Sequence, residues 1–168
     1  MRFLGLCYLS FVFPAAFAQI PRRSPPYDYT FAFPLPIPPT KEPLTTYTNP
    51  TTGIPIDFYE IDIKPFTRQH FPNLQPAHLV GYDGIAPGPT FRVRKGRESV
   101  VRFINHGTLQ SAAHLHGGNT RAPWDGWAED VIPPGSYKDY YYPGQQGART
   151  LWYHDHAGRF HRQGVVPG

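Results

Sequence analysis

The sequence from Tyr59 onward consists of short segments in which apolar and polar residues alternate, with turn-forming residues between them. In the segment YEIDIKPF, Tyr59, Ile61 and Ile63 lie on one side of an extended chain, and the residues between them lie on the other. The dipeptide Asp83-Gly84 after a later segment is typical of a tight turn. No segment has the 3.6-residue period of an amphipathic helix. The pattern therefore predicts an all-β domain, a sandwich or a barrel of short strands.

Further strand-like segments follow along the chain, and the alternation assigns their faces. They read HLVGY, TFRV, ESVVRFIN, SAAHLH, SYKDYYY and TLWYHDH. In TFRV the pattern predicts that Phe91 and Val93 point inward. In SAAHLH and TLWYHDH it predicts that Leu115, Leu151 and Tyr153 are core residues.

Two of these predicted strands each carry a His-x-His pair, His114 with His116 and His154 with His156. Residues i and i+2 of a strand share a face, and their Cα atoms lie about 6.5–7 Å apart. That spacing suits rings that hold different metal ions of a cluster better than chelation of one ion. Two such strands side by side would direct four imidazoles, good ligands for Zn, Cu, Fe or Ni, at one patch. Trp152 shares the face of the second pair, where core packing is the favoured interpretation and a wall of the metal patch the alternative.

Residues 1–18 have the features of a secretory signal peptide, with Arg2 before an apolar stretch and small residues before a cleavage site after Ala18. The apolar stretch is too short to span a bilayer, which takes about 20 residues. We therefore expect a secreted, extracellular product without a membrane partner. The only cysteine, Cys7, lies in this segment. The processed chain would then have no disulfide, no Cys-based zinc site and no thiolate for a blue-copper site.

Residues 19–55 are rich in proline, which removes a backbone donor and favours extended conformations. We expect a leader or strap there, outside the folded domain, and the Arg22-Arg23 pair is either a processing site or an ordinary charged pair. The net charge of +4 comes from scattered basic residues. No basic helix or nucleic-acid motif accompanies them, so no nucleic-acid partner is expected.

Two longer segments resemble a known family. AAHLHGGNTRAPWDGWAEDV and YKDYYYPGQQGARTLWYHDHA are similar to the first cupredoxin, or plastocyanin-like, domain of multicopper oxidases, and most similar to its bilirubin oxidase and fungal laccase-like members. GYDGIAPGPTFRV and GRESVVRFIN also fit that domain, so the likeness runs from about Ile54 to Ala157. It implies a cupredoxin-like Greek-key β-sandwich over residues 56–157, with copper as the cofactor.

The resemblance also implies a role for each candidate ligand. His114 would bind the type 2 copper, and the other three histidines, His116, His154 and His156, would bind the type 3 pair. Asp125 in PWDGW matches an aspartate that helps to deliver protons to oxygen, although an aspartate before glycine is also common in plain turns. Such a site would serve the reduction of O2 to water, coupled to the oxidation of a reducing substrate.

The chain also departs from the family pattern. The family builds a trinuclear cluster from eight histidines of its first and third domains, and this chain offers four. The type 1 copper also belongs to the third domain. Residues 158–168 show no strand alternation and no family pattern, so we expect no strand there and a sandwich that is incomplete at its C-terminal edge. His161 is not expected to be a ligand, and His70, His78 and His106 are expected to be solvated.

These departures leave several functions open. The favoured expectation is an inactive fragment of a secreted oxidase, whose second and third cupredoxin domains are missing partners. Whether the chain is itself an enzyme stays open at this point. The alternatives are a short secreted copper-binding or sequestering protein without oxidase activity, and a structural domain that binds no metal.

Overall fold

The computed structural model describes residues 29–158 and the backbone of residues 165–166. The predictions for residues 1–18, for Arg22-Arg23 and for His161 lie outside the described residues. The described part contains ten strands: β1 Thr40–Lys41, β2 Thr45–Thr48, β3 Pro55–Arg68, β4 Ala77–Tyr82, β5 Thr90–Phe91, β6 Glu98–Asn105, β7 Ala113–His116, β8 Tyr137–Tyr142, β9 Trp152–Asp155 and β10 Val165–Val166. Its one helical segment is a short 3-10 turn, Ala122–Trp124. Nothing helical in this part is long and apolar enough to cross a bilayer.

The larger sheet is organised around β3, which is 14 residues long. Strand β6 runs parallel to β3 on one side, with Ile56 opposite Glu98, and β8 pairs antiparallel with β6. On the other side of β3, β2 and β4 pair antiparallel with its first and last residues in turn. Parallel pairing of two strands without a crossover helix requires a long β connection, as in Greek-key sandwiches. The predicted all-β, cupredoxin-like fold is confirmed.

The alternation that predicted the strands also sets the core. Tyr59, Ile61 and Ile63 are almost fully buried, as predicted, and Val101 and Phe103 of β6 join them in one apolar cluster. Because successive strand residues point to opposite faces, this cluster lies on one side of the sheet. Burial of a large apolar side chain contributes about 1.5–3 kcal/mol, so the cluster is a main source of stability.

Strands β7 and β9 form a separate antiparallel pair that packs over this cluster. Tyr153 of β9 makes the contact between the layers. Its ring centroid lies 4.7 Å from that of Tyr82 and 5.7 Å from that of Phe91. Its hydroxyl donates a hydrogen bond of 2.7 Å to the carbonyl oxygen of Pro89. The pair that carries the histidines is therefore held in place through its buried face.

Three sequence predictions fail in the fold. The proline-rich segment is not wholly outside the domain, because β1 pairs with β5 and β2 pairs with β3, so a domain start at residue 56 is too late. Threonines, which favour extended backbone, allow strands between the prolines.

The second failure concerns Val93, which was predicted to point inward. Its side chain is 58% exposed, because β5 ends at Phe91 and the alternation ends with it.

The third failure concerns the C-terminal segment, which was predicted to carry no strand. Val165–Val166 forms a two-residue strand, β10, that pairs parallel with β4. Two adjacent β-branched residues favour an extended backbone. The outer edge of β4 offers unpaired N–H and C=O groups to such a segment.

Candidate metal centre

The register of β7 and β9 brings the two His-x-His pairs together. His114 lies directly opposite His154, and His116 lies directly opposite Trp152. Directly opposite residues of an antiparallel pair share a face. His156 follows the end of β9, and its backbone N–H donates to the carbonyl of Ala112 at 2.8 Å, which extends the pairing by one step.

All four imidazoles meet on this face, as strand phase predicts. The ring centroid of His114 lies 5.7, 5.4 and 5.1 Å from those of the other three histidines, namely His116, His154 and His156. One nitrogen each of His114, His116 and His154 lies within 4.8 Å of the others. Nδ1 of His116 and Nε2 of His154 are 3.4 Å apart. Two imidazole nitrogens at about that separation could both bind one metal ion.

Two main-chain carbonyls fix which nitrogen of each ring faces the patch. Nδ1 of His114 lies 2.6 Å from the carbonyl oxygen of Asp125, and Nδ1 of His154 lies 2.9 Å from that of Asp155. A carbonyl oxygen can only accept, so in both neutral rings Nδ1 carries the proton. Nε2 of each ring is then the lone-pair donor available to a metal, and this kind of support is usual around metal-binding histidines.

The approach of Asp125 to His114 depends on the glycine that follows it. Gly126 has φ +71°, and a Cβ at this position would overlap the carbonyl of Ala113 in β7. Only glycine adopts this conformation and allows this approach without strain. The Asp125 side chain lies nearby, with Oδ1 3.7 Å from Nδ1 of His114 and 3.3 Å from the Thr120 hydroxyl, which donates to it. The main chain of Asp125 thus orients a candidate ligand, a contribution that the sequence did not predict.

Asp155, between the two histidines of β9, points to the buried face and is 8% exposed. Its Oδ1 accepts hydrogen bonds of 2.9 Å from the Ser111 hydroxyl and from the Ala112 N–H. These bonds join the two residues that precede β7 to the last residue of β9. Oδ2 is buried without a hydrogen-bond partner among the described residues. An acidic residue on the core face of a strand was the available sequence signal for this support, and sequence reasoning passed over it.

Trp152 is not a core residue, so the favoured sequence interpretation was wrong. Its side chain is 45% exposed and stacks on two candidate ligands. The indole centroid is 4.3 Å from the ring of His154 and 5.1 Å from that of His116, at interplanar angles of 25° and 23°. The physical reason is positional: Trp152 lies opposite His116 and two residues before His154 on the same face.

Tyrosines form the layer beneath the site. Burial holds the pKa of Tyr140 and of Tyr153 well above the usual range, so both stay neutral in the folded protein. Burial, with a smaller contribution from the Asp155 carboxylate, does the same to the pKa of Tyr82. The hydroxyl of Tyr140 accepts a hydrogen bond of 3.3 Å from the Ala113 N–H of β7. The site therefore rests on a layer of neutral tyrosines beside the Asp155 carboxylate.

The remaining described histidines lie away from the cluster, in line with prediction. His70, His78 and His106 are exposed. Nδ1 of His78 is 3.3 Å from the Thr67 hydroxyl, and Nε2 of His106 is 3.1 Å from Asp62 Oδ1. They are useful as controls because they share the chemistry of the cluster without its geometry.

The donor set fits copper. The patch offers neutral imidazoles with oriented nitrogens, and imidazole suits copper. The Asp125 carboxylate stands beside His114 rather than among the imidazole nitrogens, and the four rings are half-buried or exposed, which leaves them open to an ion. A patch of imidazole nitrogens does not match the oxygen ligands that Mg2+ and Ca2+ prefer.

Comparison with known proteins agrees with this chemistry. A sequence model of the family described as multicopper oxidase matches residues 67–167, more than half of the chain. The match extends past Ala157, whereas the sequence analysis placed residues 158–168 outside the family pattern. The chain is 58% identical over 141 residues to a bilirubin oxidase from Albifimbria verrucaria, covering 84% of this chain and 24% of that protein. It is 31% identical over 164 residues to a laccase from Bacillus subtilis (strain 168), covering 80% and 31%.

Solved structures show the same fold. A laccase from Pediococcus acidilactici superposes with a TM-score of 0.69 at 23% identity, covering 80% of this chain and 29% of that one. A multi-copper oxidase from Pseudomonas thermotolerans superposes with a TM-score of 0.60 at 30% identity, covering 67% and 28%. The chain thus spans about a quarter to a third of the length of these relatives. The family uses copper and O2, and on its sequence match, its fold and its histidine constellation this chain belongs to the multicopper oxidase family.

Proposed function

We propose that this domain is the copper-binding first domain of a secreted multicopper oxidase and supplies half of the ligands of its trinuclear copper cluster. The observation that carries the proposal is the convergence of four imidazoles on one face of β7 and β9, two of them with Nε2 directed by main-chain carbonyls. The similarity to a bilirubin oxidase and to laccases supports an oxidase of that kind.

In this proposal each histidine has a role. His114 holds the type 2 copper, and His116, His154 and His156 hold the type 3 pair. When bound, the coppers supply the electron transfer that reduces O2 to water. The 3.4 Å separation between nitrogens of His116 and His154 supports a shared ion for these two.

The Asp125 carboxylate is proposed to hold and pass protons beside the cluster. It is half-buried at the edge of the patch, where its Oδ1 lies 3.7 Å from Nδ1 of His114 and accepts a hydrogen bond from the Thr120 hydroxyl. A carboxylate in that place can accept a proton from solvent and donate it toward the site, which imidazoles bound to metal cannot do.

The other half of the ligands and the type 1 copper are proposed to come from further cupredoxin domains. Four imidazoles on an open face leave room for a facing domain, and the relatives are three to four times longer than the matched region. The predicted signal peptide over residues 1–18 supports secretion. The identity of the reducing substrate would be set by those other domains.

A copper titration of the full chain tests the proposal. Three proteins are compared: the unchanged chain, the double variant His116→Ala with His154→Ala, and a control double variant His78→Ala with His106→Ala. The control removes the same number of histidines outside the patch. Calorimetry measures uptake, and electron paramagnetic resonance identifies imidazole nitrogen around Cu(II).

The proposal predicts that the unchanged chain and the control bind copper alike and that the patch variant loses most of the binding. The bound copper should show no intense blue colour, because no thiolate takes part. Equal uptake by all three proteins would contradict the assignment of the site. Oxidation of a phenolic dye by the copper-loaded chain alone would contradict the need for further domains.

A further inference from the structure

We propose that Trp152 is a positioning residue of the copper site: its indole holds the rings of His116 and His154 in place and favours their Cu(II)-bound state over the Cu(I)-bound state. This inference rests on the proposed copper function. It assigns a role to a residue whose sequence pattern favoured the core.

The stacking geometry is the first argument that Trp152 positions the two rings. The indole lies nearly parallel to both rings, at 25° to His154 and 23° to His116, with centroids 4.3 and 5.1 Å away. The three rings come from neighbouring strands, so one side chain restrains a ligand on each. Aromatic pairs at such distances attract each other beyond the effect of burying their area. The stack therefore limits the rotation of two candidate ligands.

The exposure of Trp152 supports this role. A tryptophan at 45% exposure leaves much apolar surface in water, and the part that it buries lies against imidazole. Trp127 is exposed to nearly the same degree, 48%, and makes no ring contact with a histidine among the described residues. The two tryptophans therefore differ in their contacts rather than in their exposure, because Trp152 stacks on two candidate ligands.

Electrostatics adds the preference for one oxidation state. The face of an indole carries negative charge density and attracts a cation or a positively polarised group. An imidazole bound to Cu(II) is more strongly polarised than one bound to Cu(I). A ring stacked on indole is thus stabilised more in the Cu(II) state. Removal of the indole should weaken Cu(II) binding more than Cu(I) binding.

The test compares the full chain with Trp152→Phe, Trp152→Leu and the matched control Trp127→Leu. Leucine keeps apolar bulk without an aromatic face, and phenylalanine keeps a smaller face. Affinities for Cu(II) and for Cu(I) are measured separately by competition with chelators at one pH. Folding of each variant is checked by circular dichroism, and quenching of tryptophan emission by Cu(II) provides an independent binding signal.

Trp152→Leu is expected to weaken Cu(II) binding about tenfold and Cu(I) binding about threefold, the size of an aromatic–cation contact of moderate exposure. Trp152→Phe should fall between Trp152→Leu and the unchanged chain, and Trp127→Leu should stay within about twofold of it. Quenching should persist in Trp127→Leu and largely disappear in Trp152→Leu.

Two results separate the inference from the function on which it rests. Absence of copper binding by the unchanged chain would overturn the proposed function and the inference together. Copper binding by the unchanged chain with equal affinities in Trp152→Leu would overturn the inference alone. An equal loss for Cu(II) and Cu(I) would overturn the preference for one oxidation state.

Discussion

The two faces of the β7–β9 pair differ in exposure and in chemistry. The open face carries His114, His154 and Trp152, whose rings stack or lie close without an apolar cover. The other face carries Tyr153 and Asp155, which are 9% and 8% exposed and are tied to the larger sheet and to the β7 segment. The geometry of the site therefore originates in the buried face. Contacts on that face fix the two strands, and the strands then direct the imidazoles. Substitutions on the buried face should lower stability, and those on the open face should lower copper binding.

The largest effect is expected at Tyr153. Replacement by alanine removes the ring that contacts Tyr82 and Phe91 and the hydroxyl bound to Pro89. Large-to-small changes of this kind lower the free energy of unfolding by about 3–5 kcal/mol. Urea unfolding followed by circular dichroism measures it. A loss below about 1 kcal/mol would break the claim that this face anchors the pair.

A smaller loss is expected for Asp155→Ala. The change leaves the Ser111 hydroxyl and the Ala112 N–H buried without their acceptor. An unsatisfied buried donor costs about 1–3 kcal/mol. Asp155→Asn keeps one acceptor oxygen and should lose less. If both variants unfold at the same urea concentration as the unchanged chain, Asp155 does not join the two strands.

The tyrosine layer predicts a loss of stability at alkaline pH. Burial raises the pKa of Tyr82, Tyr140, Tyr142 and Tyr153 above the usual value of about 10. Below pH 10 these groups are neutral in both states, and their contribution is fully present. Above it, the unfolded tyrosines ionise while the folded ones stay neutral, so stability falls as pH rises.

Each such tyrosine adds about 1.4 kcal/mol per pH unit to that slope. Between about pH 11 and 12, the free energy of unfolding of Tyr140→Phe should therefore fall less steeply with pH than that of the unchanged chain, by about that amount. Chemical denaturation at a series of pH values provides the comparison. An exposed tyrosine such as Tyr137 is the control, and Tyr137→Phe should leave the slope unchanged. If Tyr140→Phe also leaves the pH dependence of stability unchanged, the tyrosine layer is open to solvent.

The smallest effect on folding is expected on the open face. His116→Ala with His154→Ala should lower the stability of the metal-free chain by only about 1 kcal/mol, because the two rings are exposed or half-buried and lose mainly their stacking on Trp152. Copper, by contrast, should raise the melting temperature of the unchanged chain and not that of the variant. A large loss of stability in the metal-free variant would show that the two faces are not separable.

Strand period explains both the success and the failures of the sequence analysis. Side chains alternate with period two, so one register brought all four predicted histidines to one face. The same rule could not foresee that β5 would end before Val93, that Trp152 would face His116, or that the main chain of Asp125 would reach His114 past Gly126. These three features depend on where a strand ends, on which strand pairs with it, and on how closely two main-chain segments approach each other. All three are set by the tertiary structure.

Diffraction at the copper absorption edge tests the central claim most directly. Crystals of the full chain soaked with Cu(II) should give anomalous peaks within bonding distance of nitrogens of His114, His116, His154 and His156. Data collected just below the edge should lack those peaks, which separates copper from other scatterers. Peaks confined to His78 or His106, or no ordered copper at the four-histidine patch at saturating metal, would contradict the account.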